Sequence, residues 1–176
     1  MVAPIKPRKV QANGKDSWFL VPTVADITAP TILEINAATG INLSCTFLKS
    51  FEGATAETSK VTLEEYLCET VSYEANDTTT VSIGDFVGGF DPQAADTSDD
   101  KKAFEFLRDG FTGYAVRRQG ISAESGDVVA GQFVDVMPVE VAKAIPDKSN
   151  TDSSGIYVFR AAASVTGECA WNVAAV

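Results

Sequence analysis

The chain contains no histidine. That removes the commonest general base, the commonest metal ligand, and every Ser-His-Asp or Cys-His nucleophile. Catalysis would have to rest on carboxylates, lysine, tyrosine or a bare cysteine. The adjacent pairs Glu64-Glu65 and Asp99-Asp100 are no ready acid/base dyad, because neighbours in sequence point in different directions on a strand or a helix. Cysteine is scarce as well: Cys45, Cys68 and Cys169 are odd in number and widely spaced, with no CxxC pair. They read as reduced, mostly buried thiols, with a Cys45–Cys68 disulfide as the lesser alternative. No apolar run approaches the roughly 18–20 residues that cross a membrane. The N-terminus carries early positive charge and two prolines but no apolar core, so it reads as an exposed arm rather than a secretory signal. Asn42 and Asn76 head chance matches to the glycosylation pattern.

Positive charge is the other shortage. Fourteen lysines and arginines face twenty-four acids, a net charge of −10 across 176 residues. The imbalance is local. Residues 1–48 sum to +1, with Lys6, Arg8, Lys9 and Lys15 all preceding the first acid. Residues 49–110 hold fourteen acids against five bases, and residues 111–176 seven against five. Such a surface repels phosphate, which disfavours tight nucleic-acid binding and suits DNA that must slide past without sticking. Plain solubility explains the same composition.

What is present reads mainly as β structure. Hydrophobic residues make up 45% of the chain, enough for one core, and one domain is expected over residues 17–176 behind an arm at 1–16. Strand periodicity marks residues 17–21, 41–48, 67–73, 78–87, 114–118, 133–141, 156–166 and 170–176, with Gly, Pro and Asn-Asp breaks between them. A turn is expected at Asn76-Asp77. Residues 41–48 alternate most cleanly, placing Ile41, Leu43, Cys45 and Phe47 on one face. A short helix is expected over residues 31–38, stopped by Gly40. The best helix lies within residues 90–110. Thr97 or Ser98 caps it, Asp99 and Asp100 occupy the first turn, and Ala103, Phe104 and Leu107 form its apolar stripe before Gly110. Residues 49–61 hold almost nothing suited to a core and read as a polar functional loop.

Few residues suggest a site. Asp91, Asp96, Asp99 and Asp100 lack EF-hand spacing and read as a solvated loop feeding a helix. Gly84, Gly88 and Gly89 lack the Gly-Lys-Ser/Thr of a phosphate loop. Arg117 and Arg118 sit on a strand, one to each face, as solvent-facing charges or as partners for acids of a neighbouring subunit. The aromatics read as core or interface. No cofactor is expected.

Joint order, more than any single motif, carries a family resemblance. The stretches are WFLVPT at residues 18–23, APTILEINAATGINL at 29–43, GYAVRRQG at 113–120 after the helix, AGQFVDVMPV at 130–139, and ASVTG at 163–167. Over nearly its whole length the chain resembles the major tail tube proteins of long-tailed, non-contractile bacteriophages, above all those of actinobacteria. The resemblance implies two packed antiparallel β-sheets flanked by one helix, in a subunit that forms stacked hexameric rings. It implies a virion tail protein, assembled in the host cytoplasm, that conducts DNA at infection and is not an enzyme. Its partners would be copies of itself, a tape measure protein, and tail terminator and tip proteins. Lys6, Arg8, Lys9, Glu52, Glu57, Lys60, Arg117 and Arg118 are then the expected inter-subunit residues, with 49–61 as a stacking loop. The rival readings are a tail terminator or connector, the tube protein of type VI secretion, a β-sandwich binding module, and a carboxylate enzyme on a jelly roll.

Overall fold

The computed structural model describes residues 8–64, 66, 68, 70–150 and 154–176. In chain order the strands are β1 (Asp16–Val21), β2 (Ile41–Asn42), β3 (Ala54–Thr62), β4 (Glu74–Ile83), β5 (Phe86–Gly89), β6 (Phe111–Gln119), β7 (Phe133–Val141), β8 (Ile145–Lys148), β9 (Tyr157–Ala161), β10 (Ala163–Val165) and β11 (Ala170–Ala174). The helices are α1 (Ile32–Ile35) and α2 (Asp99–Leu107). All strand pairings are antiparallel. The expected fold class holds: a mainly β chain with few helices.

One six-stranded sheet runs in the order β10-β7-β6-β1-β2, with β11 also paired to β7. Its central strands are buried on both faces, which is why β1 reads as an unbroken apolar run rather than an alternation. Trp18 and Leu20 point into one core with Ala115, Met137, Val139 and Val141. Phe19 and Val21 point the other way, with Val116, Val134 and Val136.

The first core is closed by a three-stranded sheet, β5-β9-β8, and by α2. Phe86, Phe159 and Ala161 come from that sheet, and Ala103, Phe104 and Leu107 from the helix. Phe90 stacks on Phe104 at 4.7 Å between ring centroids. Gly88 lets the Phe159 ring lie against its backbone, since a Cβ there would meet ring carbons at 2.6 Å. Ser98 caps α2, and Gly110, at φ +88°, turns the chain into β6.

The second core is closed by residues 22–40, the loop before β7 and the C-terminal strand, through Val24, Ile35, Val128 and Ala175. α1 is one turn held by a reciprocal cap: the Glu34 amide donates to Thr31 Oγ1 at 3.2 Å and the Thr31 amide donates to Glu34 Oε2 at 2.9 Å. Glu34 Oε1 also accepts from the Ala25 amide. These two backbone donors, Thr31 first, hold the carboxyl below its ordinary value of 4.5. Its contribution is therefore present above that value and is lost as pH falls through the lower folded one. Glu34→Ala is expected to cost about 1 kcal/mol at neutral pH. In thermal melts the gap to the unsubstituted protein should narrow as pH falls below the ordinary value of 4.5 and through the lower folded one.

Several sequence expectations meet competing local chemistry. The helix over 31–38 stops at Ile35 because Asn36 turns its side chain outward from the helix. Asn36 Nδ2 donates to the Val128 carbonyl at 2.7 Å and Oδ1 accepts from the Val128 amide at 3.0 Å. The alternation over 41–48 yields only β2. Asn42 Oδ1 accepts from the Ser44 amide, and the Leu43 carbonyl accepts from Thr46 and Phe47, so the chain coils instead of continuing. Residues 156–166 are two strands. Β9 belongs to the three-stranded sheet and β10 to the six-stranded one, with the change at Ala162. The expected partnership of 67–73 with 78–87 is replaced by β3 with β4; Leu67 and Glu69 lie outside the described residues.

Candidate assembly surfaces

Residues 49–61, read from composition as a loop, contribute most of β3. With β4 it forms a two-stranded ribbon about 30 Å long, at about 3.3 Å per residue. The hydrogen-bonded pairing runs from Gly53 and Gly84 at the root to Leu63 and Tyr73 near the tip. Only the root joins the body, through buried Ile83 and half-buried Ala54 in the first core. Nearly all the rest is exposed.

Polar side chains stitch the ribbon. Thr55 and Ser82 share a hydroxyl contact at 3.0 Å, and Thr58 and Thr79 one at 2.9 Å. The pairing then slips by one residue. Asn76-Asp77 is thus not a turn but part of a bulge, with Asp77 and Thr78 both opposite Ser59. Ser59 Oγ clamps it, accepting from the Thr78 amide at 3.1 Å. Turn-forming chemistry was legible there; the register that makes it a bulge was not.

Two isolated strands are marginal in water. This ribbon leaves the outer edges of both strands without backbone partners among the described residues. It also exposes Val61, Leu63, Tyr66, Val71 and Tyr73 toward its tip. Its ion pair of Lys60 with Glu74, at 3.5 Å and the only one among the described residues of the ribbon, is more than half exposed on both sides and adds little. Glu57 lies opposite Thr80 in mid-ribbon, and Glu52 flanks the root beside Gly84.

A second open edge is β8. All four residues are exposed, Ile145 at 66%, and among the described residues only β9 pairs with it. Asp147 accepts from Arg160 on that partner strand. The Lys148 amide, then Arg160, holds the Asp147 carboxyl below its usual range. The opposite edge of this sheet, β5, is covered: Leu48 donates to the Val87 carbonyl and Gly89 donates to the Thr46 carbonyl. Sequence reading missed β8 as an edge, because Pro146 resembles a turn signal there and only the sheet order shows what it borders.

The two strand arginines do go to opposite faces, and both are engaged within the subunit. Arg117 forms a forked pair with Asp16, at 2.8 and 2.9 Å, above the Trp18 ring. Arg118 is 0% exposed and lies over Phe19. Its guanidinium donates to the carbonyls of Ser122, Gly126 and Asp127, and to side-chain oxygens of Ser17, Ser125 and Gln132. Burial pulls it below its ordinary pKa, with Asp127 opposing. Arg118 is therefore an internal bracket for residues 122–132 rather than a boundary charge. Its long apolar stem fits between strands while its fork meets the carbonyls of residues 122, 126 and 127.

Of the basic arm, Arg8 and Lys9 are exposed, and Lys6 lies outside the described residues. The arm joins the body through the amide of Gly120, which donates to the Lys15 carbonyl, and that of Ala123, which donates to the Gly14 carbonyl. The cysteines depart from expectation: Cys45 and Cys68 are exposed, and only Cys169 is half-buried, where desolvation pushes its thiol up. Among the described residues no three His, Cys, Asp or Glu side chains converge as a metal site. No helix there is long and apolar enough to cross a membrane.

Among the described residues the geometry thus offers open strand edges and a protruding ribbon. No curated protein matches the chain. A family model described as phage tail tube protein matches residues 3–176, nearly the full length, and the chain belongs to that family of structural tail components, which associate with copies of themselves in the virion tail.

Proposed function

We propose that six copies close into a ring and that rings stack into the tail tube of a long-tailed, non-contractile, actinophage-like virus. The tube surrounds a tape measure protein during assembly in the host cytoplasm, meets terminator and tip proteins at its ends, and passes DNA on infection. The observation that carries this reading is the β3–β4 ribbon, a long exposed hairpin that only a partner can cover. A chain whose protruding element and receiving surface differ makes head-to-tail contacts, which close into rings or run on as filaments. The acidic excess of residues 49–110 partly faces the lumen, where it keeps phosphate from adhering.

Electron micrographs of the concentrated protein test this. Tubes with a central channel and six-fold end views are expected. Another symmetry, or most of the acids of 49–110 on the outer wall, would contradict the corresponding part. The basic arm supports ring stacking. Deleting residues 2–12 is expected to leave a folded subunit, because the described part of that segment is exposed, and to shorten or abolish tubes. Normal-length tubes from that deletion would remove the arm from the account.

A further inference from the structure

Beside the start of α2 lies a cleft of about 750 Å³ that no part of the described chain fills. Its floor is apolar: Phe47 and Phe90 lie half-buried, and Ile156 and Tyr157 are 52% and 56% exposed. Asp91, Asp99 and Asp100 stand on its rim, and no lysine or arginine lines it among the described residues. Lys101, next to Asp100 in the chain, is already paired with Asp96 at 2.7 Å and Glu105 at 3.4 Å, and Lys148 reaches over the Tyr157 ring at 5.7 Å without lining the cleft. An occupant must bring aliphatic groups for the floor and cations for the rim.

Resting on the assembly reading above, we propose that this cleft receives the N-terminal segment of a second copy. Residues 5–10 read Ile-Lys-Pro-Arg-Lys-Val, three cations between two aliphatic residues, and the segment has no acid before Asp16. Pro7 favours an extended backbone at Lys6. Arg8, Lys9 and Val10 are exposed, Val10 at 60%. Each copy then carries one basic arm and one acid-rimmed cleft. Such unlike patches join copies head to tail and leave a free arm or cleft at each end of the growing tube. The acidic ribbon is a poorer receiver. Its carboxylates are spread along an exposed strand pair, and Glu74 already holds Lys60.

Carbodiimide cross-linking of the full-length protein tests this, with equal parts of unlabelled and ¹⁵N-labelled subunits mixed before assembly. The reagent joins a lysine amine to a carboxylate it touches. Cross-links from Lys6 or Lys9 to Asp91, Asp99 or Asp100 are expected, about half of them joining one labelled and one unlabelled peptide if mixing is random. Links only within one label would show that the arm folds onto its own cleft, and would overturn the proposal. Tubes that form without these links would overturn it and leave the tube reading intact. A preparation that never assembles would overturn both. A paired substitution adds a readout of binding: Asp99→Lys should weaken assembly at least about tenfold, and Lys9→Glu in the same chain should restore part of it. A double variant no better than Asp99→Lys alone contradicts the pairing.

Discussion

Removing residues 56–81 and joining Thr55 to Ser82 through an Asn-Gly turn should leave a folded subunit that makes no tubes. The ribbon's contributions to the first core come from Ala54 and Ile83, and both remain. Thr55 and Ser82 are paired opposite each other, so a two-residue turn closes them in register. What disappears is the exposed ribbon with its unpaired edges and apolar tip. The critical concentration for assembly should rise by at least about 100-fold, equivalent to about 2.8 kcal/mol per contact. Sedimentation reads the assembly and thermal unfolding the fold. Tubes at the usual concentration would show that the ribbon is ornamental. Collapse of the melting transition would show that it belongs to the core.

Arg118 carries the largest expected effect on stability. Its guanidinium serves six oxygens from residues 17, 122, 125, 126, 127 and 132, and the residue has no exposed surface. Its Nε is the one buried side-chain nitrogen or oxygen among the described residues without a partner, so even this bracket is not fully satisfied. Arg118→Ala strands those acceptors and opens a cavity beside Phe19. A loss of about 3–5 kcal/mol is expected, or about 10 °C in Tm for a chain of this size. Arg118→Lys keeps the charge but not the fork, and should recover under half of the loss. Arg117→Ala is the control. Its pair with Asp16 is partly exposed, so about 1 kcal/mol is expected. Equal effects at the two positions would refute the distinction between an internal bracket and a surface pair.

The contrast between these arginines shows where sequence stops being legible. Alternation places one on each face, and the structure agrees. It does not say that Arg118 is enclosed by residues 122–132 while Arg117 is held by an aspartate 101 positions away. Strands with a strong apolar pattern, β1, β6 and β7, stand close to where periodicity puts them, as does α2 with its Ser98 cap. Burial dictates those residues directly. Elements dictated by pairing alone were opaque. β3 is Thr-rich and nearly all exposed because it has no core to face, so its composition reads as a loop, whereas its partner β4 lies partly within the strand expected at 78–87. Residues 41–48 alternate well, but Asn42 and Ser44 divert the backbone after β2, and the stretch meets β5 only through a single bridge at Phe47. The assembly surfaces share this opacity, since an edge is defined by the neighbour it lacks.

Amide hydrogen exchange, compared between dispersed subunits and tubes, tests most directly whether free backbone edges are completed by other copies. Amides of β8 and of the β3–β4 ribbon should exchange at least about ten times more slowly once assembled, while those of β6 and β7, already paired on both sides, change little. Tubes that form with both edges exchanging as fast as in the free subunit would contradict the account.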